Sequence, residues 1–309
     1  MVDLKVGTTV GGDALRSGAE LEQMGYASLW VSEHILFYGP TLESVPQLGA
    51  LTAITTKATL GTAIYLLPLR HPTIVAKSFG TLDILSHGRI TLGIGVGGEY
   101  AKEFEATGVP VKQRGSRSDE AIDVIKRLWG GDHVSHHGRF FQFEDVSMQP
   151  KPARAGGPPI VVAGRSDAAM RRAARRGDGY MPYLFTPDRY RSAVQQITSD
   201  AAEAGRDIGN FQWVLYQFTA LADTHEEAHR RAVARLTRQY NQDFENLVER
   251  YCVLGTAEEC AERLSQFVEA GVRHVILVPI CPEGEVMQHQ ESYLRDVLPQ
   301  VRARAATVA

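Results

Sequence analysis

The chain has 309 residues, 33 Lys and Arg against 36 Asp and Glu for a formal net charge of −3, and 44% hydrophobic residues. That composition is globular and excludes collagen-like, disordered and small disulfide-stapled chains; the near-neutral charge lacks the basic field that supplies most non-specific nucleic-acid affinity, so no nucleic-acid partner is expected. At about 150 residues per domain the length suggests two domains, whereas α/β barrels use about 250 or more as one.

Leu4 to Val10 reads as a short buried strand, and Asp13 to Gly25 as a helix with Ala14, Leu15, Ala19, Leu21 and Met24 near helical spacing before a terminating glycine. Ala27 to Ser32 and Thr59 to Leu67 are the second and third strands, rich in aliphatic and β-branched residues, with Glu33 to Gly49 between them read as a long loop. Pro72 suits a first helical turn, where its missing N–H costs nothing, and Thr73 to Ser86 follows as a helix closed by Gly88. Arg89 to Val96 is the fourth strand; a helical fragment at Lys102 to Ala106 and a helix at Ser118 to Trp129 come next.

Gly130 to Pro159 interrupts the rhythm with His133, His136, His137, four prolines and several aromatics, and reads as an insertion with its own hairpin. Alternation then resumes: strands at Ile160 to Ala163, Gly179 to Pro182, Phe211 to Leu221 and Val272 to Pro279, and helices at Ser166 to Arg176, Pro187 to Ala204, His225 to Arg250, Ala257 to Ala270 and Gln290 to Arg304. Eight hydrophobic strands separated by helices, with no composition break, predict one (β/α)8 TIM barrel over residues 1–309, carrying an insertion at about 130–159. Cys252, Cys260 and Cys281 match neither a disulfide framework nor a zinc pattern and are read as reduced thiols of a cytoplasmic protein. No secretory signal is expected at Met1 to Val10, and no window approaches the roughly 20 apolar residues of a membrane span.

In a barrel the reaction site lies past the carboxyl ends of the strands. Gly93, Gly95 and Gly98 spell G-x-G-x-x-G, but after the fourth strand and without an acidic residue at the end of the next one, so a dinucleotide-binding turn is rejected. Two readings stay open for these glycines: they ease strand packing, or they let a flat ligand approach the backbone. Gly164-Arg165-Ser166 opens a helix where N–H groups, the helix dipole, a hydroxyl and a guanidinium can face one phosphate; the other reading is an N-cap Ser166 with a solvent-facing Arg165. Arg171, Arg172, Arg175 and Arg176 read as a solvated helix face. Glu33-His34 would set an imidazole and a carboxylate over the barrel mouth, a proton-carrying pair or a structural histidine. The three histidines of the insertion lack metal-ligand spacing, and no metal is expected.

Five ordered segments then carry a likeness: Ser28 to Ile35, Leu60 to Gly97, Phe104 to Trp129, His137 to Pro152 and Pro158 to Pro182. The chain resembles the bacterial luciferase-like monooxygenase superfamily, and more closely its coenzyme F420-dependent oxidoreductases. The resemblance implies a barrel binding a reduced flavin or deazaflavin at the strand ends. It places His34 against the ring, with Glu33 standing where related enzymes often have an aspartate. It puts Ala63 and Ile64 at a bulge with a non-prolyl cis peptide, Gly95, Val96, Gly97 and Gly98 beside the ring, Glu99 near a glutamate used as proton donor in some relatives, and Gly164, Arg165 and Ser166 at the phosphate-binding turn.

The expected function is hydride transfer between coenzyme F420 and a small organic substrate, with His34 and Glu99 handling the proton; the alternative is a monooxygenase using reduced FMN and molecular oxygen. A decayed flavin-binding protein and a barrel enzyme acting on a phosphorylated sugar are the other classes in play. Dimers are common in similar proteins, so a homodimer is expected, with a separate cofactor reductase in the FMN case. The substrate is left to the loop Phe37 to Gln47 and the insertion, which carry no recognisable code.

Overall fold

The computed structural model describes residues 4–307. Its first half runs β1 (Lys5–Thr9), α1 (Gly18–Met24), β2 (Ser28–Val31), α2 (Ser44–Ile54), β3 (Thr59–Thr62), β4 (Tyr65–Leu66), α3 (Pro72–Leu85), β5 (Ile90–Gly95), α4 (Ala101–Ala106), α5 (Arg114–Gly130), β6 (Val134–His137) and β7 (Gln142–Val146). The second half runs β8 (Ile160–Ala163), α6 (Asp167–Arg176), β9 (Gly179–Met181), α7 (Pro187–Glu203), β10 (Gln212–Leu221), α8 (His225–Tyr240), α9 (Val248–Tyr251), β11 (Val253–Gly255), α10 (Ala257–Glu269), β12 (His274–Pro279), α11 (Val286–Ser292) and α12 (Leu298–Thr307).

β1, β2, β3, β5, β8, β9, β10 and β12 pair in parallel in that order, and β12 returns to β1, so the eight strands close a ring. Closure removes every edge from this ring and sends the apolar strand residues both inward and outward to the helices. The outward faces bury Leu29, Leu60, Leu92 and Val162 in the main core. Inside, Trp30 is fully buried among Ala63, Val161, Met181, Val214 and Ile276. A side chain at Gly61 would overlap the Trp30 ring, so that glycine lets one indole fill the barrel. Trp30 Nε1 donates to Ser28 Oγ at 2.8 Å, and that hydroxyl pairs with His274 Nε2 at 2.6 Å. Burial pushes His274 down to about 4, which keeps the imidazole neutral inside this plug. With the interior filled by Trp30, the carboxyl ends of the strands are where a barrel of this kind carries its functional residues.

Four sequence expectations need correcting. The segment read as a loop from Glu33 to Gly49 contains the start of α2, whose buried residues Ser44, Gln47, Leu48 and Leu51 have helical spacing. Two of those four are polar, which hides the stripe from a hydrophobicity reading. The third strand is split into β3 and β4 at Ala63–Ile64, whose peptide bond is cis. The long helix at His225 to Arg250 breaks at Asn241, which takes the left-handed conformation at φ 50°, and β11 follows α9 to pair with the carboxyl end of β10. The fourth concerns the arginines of α6: Arg172 is buried rather than solvated, pairing with Asp119 of α5 at 2.7 Å.

The hairpin β6–β7 packs along α5, where Glu120 accepts from the backbone N–H groups of Phe140 and Phe141. Over the carboxyl end of β10, α8, α9 and β11 enclose a second core with Phe218, Leu236, Phe244, Val248, Leu254 and Ile280. Among the described residues no helix is long and apolar enough to cross a membrane.

Candidate active site

The end of β2 delivers two adjacent side chains in opposite directions. Glu33 turns inward and is 2% exposed. Its carboxylate takes both arms of Arg70, at 2.8 and 3.0 Å, and accepts from Ser44 Oγ at 2.7 Å and from Leu66 N–H at 2.9 Å. Burial pushes this carboxyl up and the Arg70 guanidinium pulls it back. Arg70 also lies over the Tyr65 ring, 4.4 Å from its centroid. Every donor around Glu33 belongs to the scaffold, so it ties β2, α2 and β4 together and has no capacity left for a substrate.

His34 faces the mouth. Its ring stacks on Phe37, centroids 3.9 Å apart and planes 13° from parallel, and Nδ1 lies 3.4 Å from Glu103 Oε2. Glu103, in α4, is fully buried; its other oxygen accepts from Ile35 N–H at 2.6 Å and Leu36 N–H at 3.3 Å. Glu103 was missed by sequence reasoning. The fragment Lys102 to Ala106 was recognised as helical, but nothing in its pattern distinguishes Glu103 from the exposed Glu105, and its partner is 69 residues away.

From His34 an aromatic row runs along the rim: Phe37 to Tyr38 at 5.2 Å and Tyr38 to Tyr100 at 4.9 Å, both edge-on. Glu99 follows, exposed, accepting from Tyr183 Oη at 3.3 Å, and the Arg165 guanidinium lies 4.8 Å from the Tyr183 ring centroid. Burial, then the Glu99 charge, pushes the Tyr183 phenol up, which keeps it a donor. No hydrogen bond or ion pair joins His34 to Glu99 among the described residues; the direct carboxylate partner of His34 is Glu103.

Packing accounts for two of the glycines in β5. A side chain at Gly93 would overlap the Thr62 carbonyl, and one at Gly95 the Ile64 side chain, so neither position has room for one. Gly97 and Gly98 take φ of 61° and 118°, and Val96 between them and Gly95 is half-buried. At the end of β8, Gly164 has φ 135°, Ser166 Oγ caps α6 by accepting from Ala169 N–H at 3.3 Å, and Arg165 is exposed. The capping reading thus describes Ser166 and Arg165 as they stand. The first turn of α6 carries the acidic Asp167, and the N–H groups of Asp167 and Ala168 have no hydrogen-bond partner among the described residues.

The histidines of the hairpin each hold their own carboxylate: His133 with Asp145, His136 with Glu120, His137 with Glu144. Among the described residues no group of three or more His, Cys, Asp or Glu side chains is arranged to hold a metal ion.

The luciferase-like monooxygenase family profile matches residues 3–274. The chain belongs to that family. Membership makes it an oxidoreductase, on the barrel already described. It is 28% identical over 324 aligned positions to an F420-dependent glucose-6-phosphate dehydrogenase of Microbacterium testaceum (strain StLB037), covering 95% of this chain and 94% of that one. It is 34% identical over 218 positions to a 4-hydroxyprotoasukamycin monooxygenase of Streptomyces nodosus subsp. asukaensis, covering 67% of this chain and 58% of that one. Among solved structures, an F420-dependent secondary alcohol dehydrogenase in complex with an F420-acetone adduct superposes with a TM-score of 0.86 at 22% identity, over 97% of this chain and 99% of that one.

Proposed function

We propose that this protein is an F420-dependent dehydrogenase acting on a small organic substrate. The observation that carries the reading is the end-to-end match to an F420-dependent dehydrogenase, in a chain whose His34 stands at the strand-two end with one ring nitrogen unpartnered among the described residues. The residues fit such a cofactor: the α6 amino terminus with Gly164, Arg165 and Ser166 suits its phosphate, and Ala63, Ile64 and Gly95 to Gly98 stand at the carboxyl ends of their strands, where its ring would lie. When bound, the deazaflavin supplies the carbon that exchanges a hydride.

The chain's own residues do the rest. His34 takes the proton of a substrate hydroxyl, or returns it in the reverse direction, at the ring nitrogen that faces the mouth. Phe37, stacked on the imidazole, shields one face of that ring. Glu99, held by Tyr183, exchanges protons with solvent at the rim. A cytoplasmic setting accompanies this reading.

A second reading, a monooxygenase fed reduced FMN by a separate reductase, is favoured by the 34% identity to a monooxygenase. The test is an anaerobic screen of alcohols, aldehydes and sugar phosphates for reduction of F420, followed by absorbance, beside an oxygen-uptake assay with reduced FMN. Substrate-dependent F420 reduction supports the dehydrogenase; oxygen uptake with FMN and silence with F420 overturn it.

A further inference from the structure

We infer that Glu103 is a positioning residue that fixes the tautomer of His34, holding the proton on Nδ1 and leaving Nε2 as the bare nitrogen at the barrel mouth. A neutral imidazole has one donor and one acceptor nitrogen, and the partner of one nitrogen decides the state of the other. In an unconstrained peptide the neutral ring favours the proton on Nε2. That form would present a protonated nitrogen to the substrate and could accept nothing.

The two oxygens of Glu103 decide the matter. The side chain is fully buried, so each oxygen requires a donor. Oε1 has the N–H groups of Ile35 and Leu36. Oε2 has His34 Nδ1 and no other hydrogen-bond partner among the described residues. Were the proton on Nε2, a nitrogen lone pair would face a buried carboxylate oxygen at 3.4 Å, and both acceptors would go unsatisfied. With the proton on Nδ1 the contact becomes a charge-assisted hydrogen bond. The Phe37 ring, stacked 3.9 Å away, blocks one face of the imidazole, and the flanking amides of Ile35 and Leu36 are held by the same carboxylate. Edge, face and backbone are thus all fixed, and Nε2 is the one nitrogen free to take a substrate proton.

His34 and Glu103 come from different βα units, so Glu103 also couples the helix α4 that follows β5 to the loop after β2. The consequence for catalysis rests on the proton-transfer reading above; the tautomer does not. It is read without cofactor or substrate, so failure of one leaves the other standing.

The experiment is a long-range nitrogen–proton correlation spectrum of the protein labelled with 15N-histidine, recorded about two pH units above the ordinary histidine value of about 6.5. The chain has 10 histidines, and the signal of His34 is assigned by its loss in His34→Gln. We expect Nδ1 protonated and Nε2 bare. In Glu103→Gln the single amide oxygen stays with Ile35 and the NH2 group turns toward Nδ1, so the pattern inverts to protonated Nε2. A proton on Nε2 in the unsubstituted protein, or an even mixture of forms, overturns the inference; so does a folded Glu103→Gln protein with an unchanged pattern. If that variant fails to fold, the spectrum of the unsubstituted protein decides alone.

Discussion

Glu33 and Glu103 are two buried glutamates within one loop's reach of each other, and they are used in different ways. Glu33 is closed by an arginine, a serine hydroxyl and a backbone N–H, all of them scaffold. Glu103 is closed by two backbone N–H groups and a histidine whose far nitrogen is left for the mouth. Both are buried and fully hydrogen-bonded; what separates them is that the last donor to Glu103 has a second end. Neighbouring residues of one sequence motif, Glu33 and His34, therefore fall on opposite sides of that division.

The largest effect expected from this contrast is on stability. Arg70→Ala leaves Glu33 buried without its counter-charge and should cost about 3–5 kcal/mol in denaturant unfolding, whereas Glu103→Gln, which keeps an acceptor for Ile35, should cost about 1 kcal/mol. Equal losses would break the distinction. His34→Gln, whose amide NH2 can still donate to Glu103, should reverse the pattern, lowering turnover by about 10²–10⁴-fold while changing the unfolding free energy by about 1 kcal/mol or less.

The barrel floor sharpens the comparison through pH. His274, in the floor, and His289, in α11 beside the carboxyl end of β10, are pushed by burial down to about 4. The unfolded chain binds those protons near the ordinary value of about 6.5 and the folded one does not, so stability falls as pH drops from about 6.5 toward 4, by about 3 kcal/mol for each histidine. His274→Gln should flatten that slope, measured as unfolding free energy against pH; an unchanged slope would show that the floor histidine takes protons freely. His225 gives the smallest effect and the opposite sign. Hydrogen bonds to Glu249 and Glu259, at 3.0 and 3.1 Å, raise it, Glu249 foremost. That stabilisation is full below the ordinary histidine value and disappears as pH rises through the raised one. His225→Ala should lower the melting temperature by a degree or so at about pH 6 and leave it unchanged at about pH 9.

Much of this was legible in advance. All eight barrel strands stand out as apolar runs, most of them between amphipathic helices, and Glu33, His34, Glu99 and Gly164 to Ser166 stand out because they follow strand ends. What stayed hidden depends on pairing across the chain. Glu103 looks like any acid of a charged helical turn until the fold carries it 69 residues back to His34. Arg70 looks like a surface arginine until it meets Glu33, and α2 looks like loop because Ser44 and Gln47 occupy its core positions. Periodicity reports how apolar a face is; it is silent on buried polar residues, whose burial is decided by partners from other elements.

An anaerobic titration of the purified protein with F420 and, in parallel, with FMN, followed by fluorescence, decides the cofactor on which the dehydrogenase proposal depends. Saturable binding of F420 at concentrations where FMN does not bind is the predicted result. Tight FMN binding with none for F420 would contradict it and turn the same barrel mouth over to oxygen chemistry.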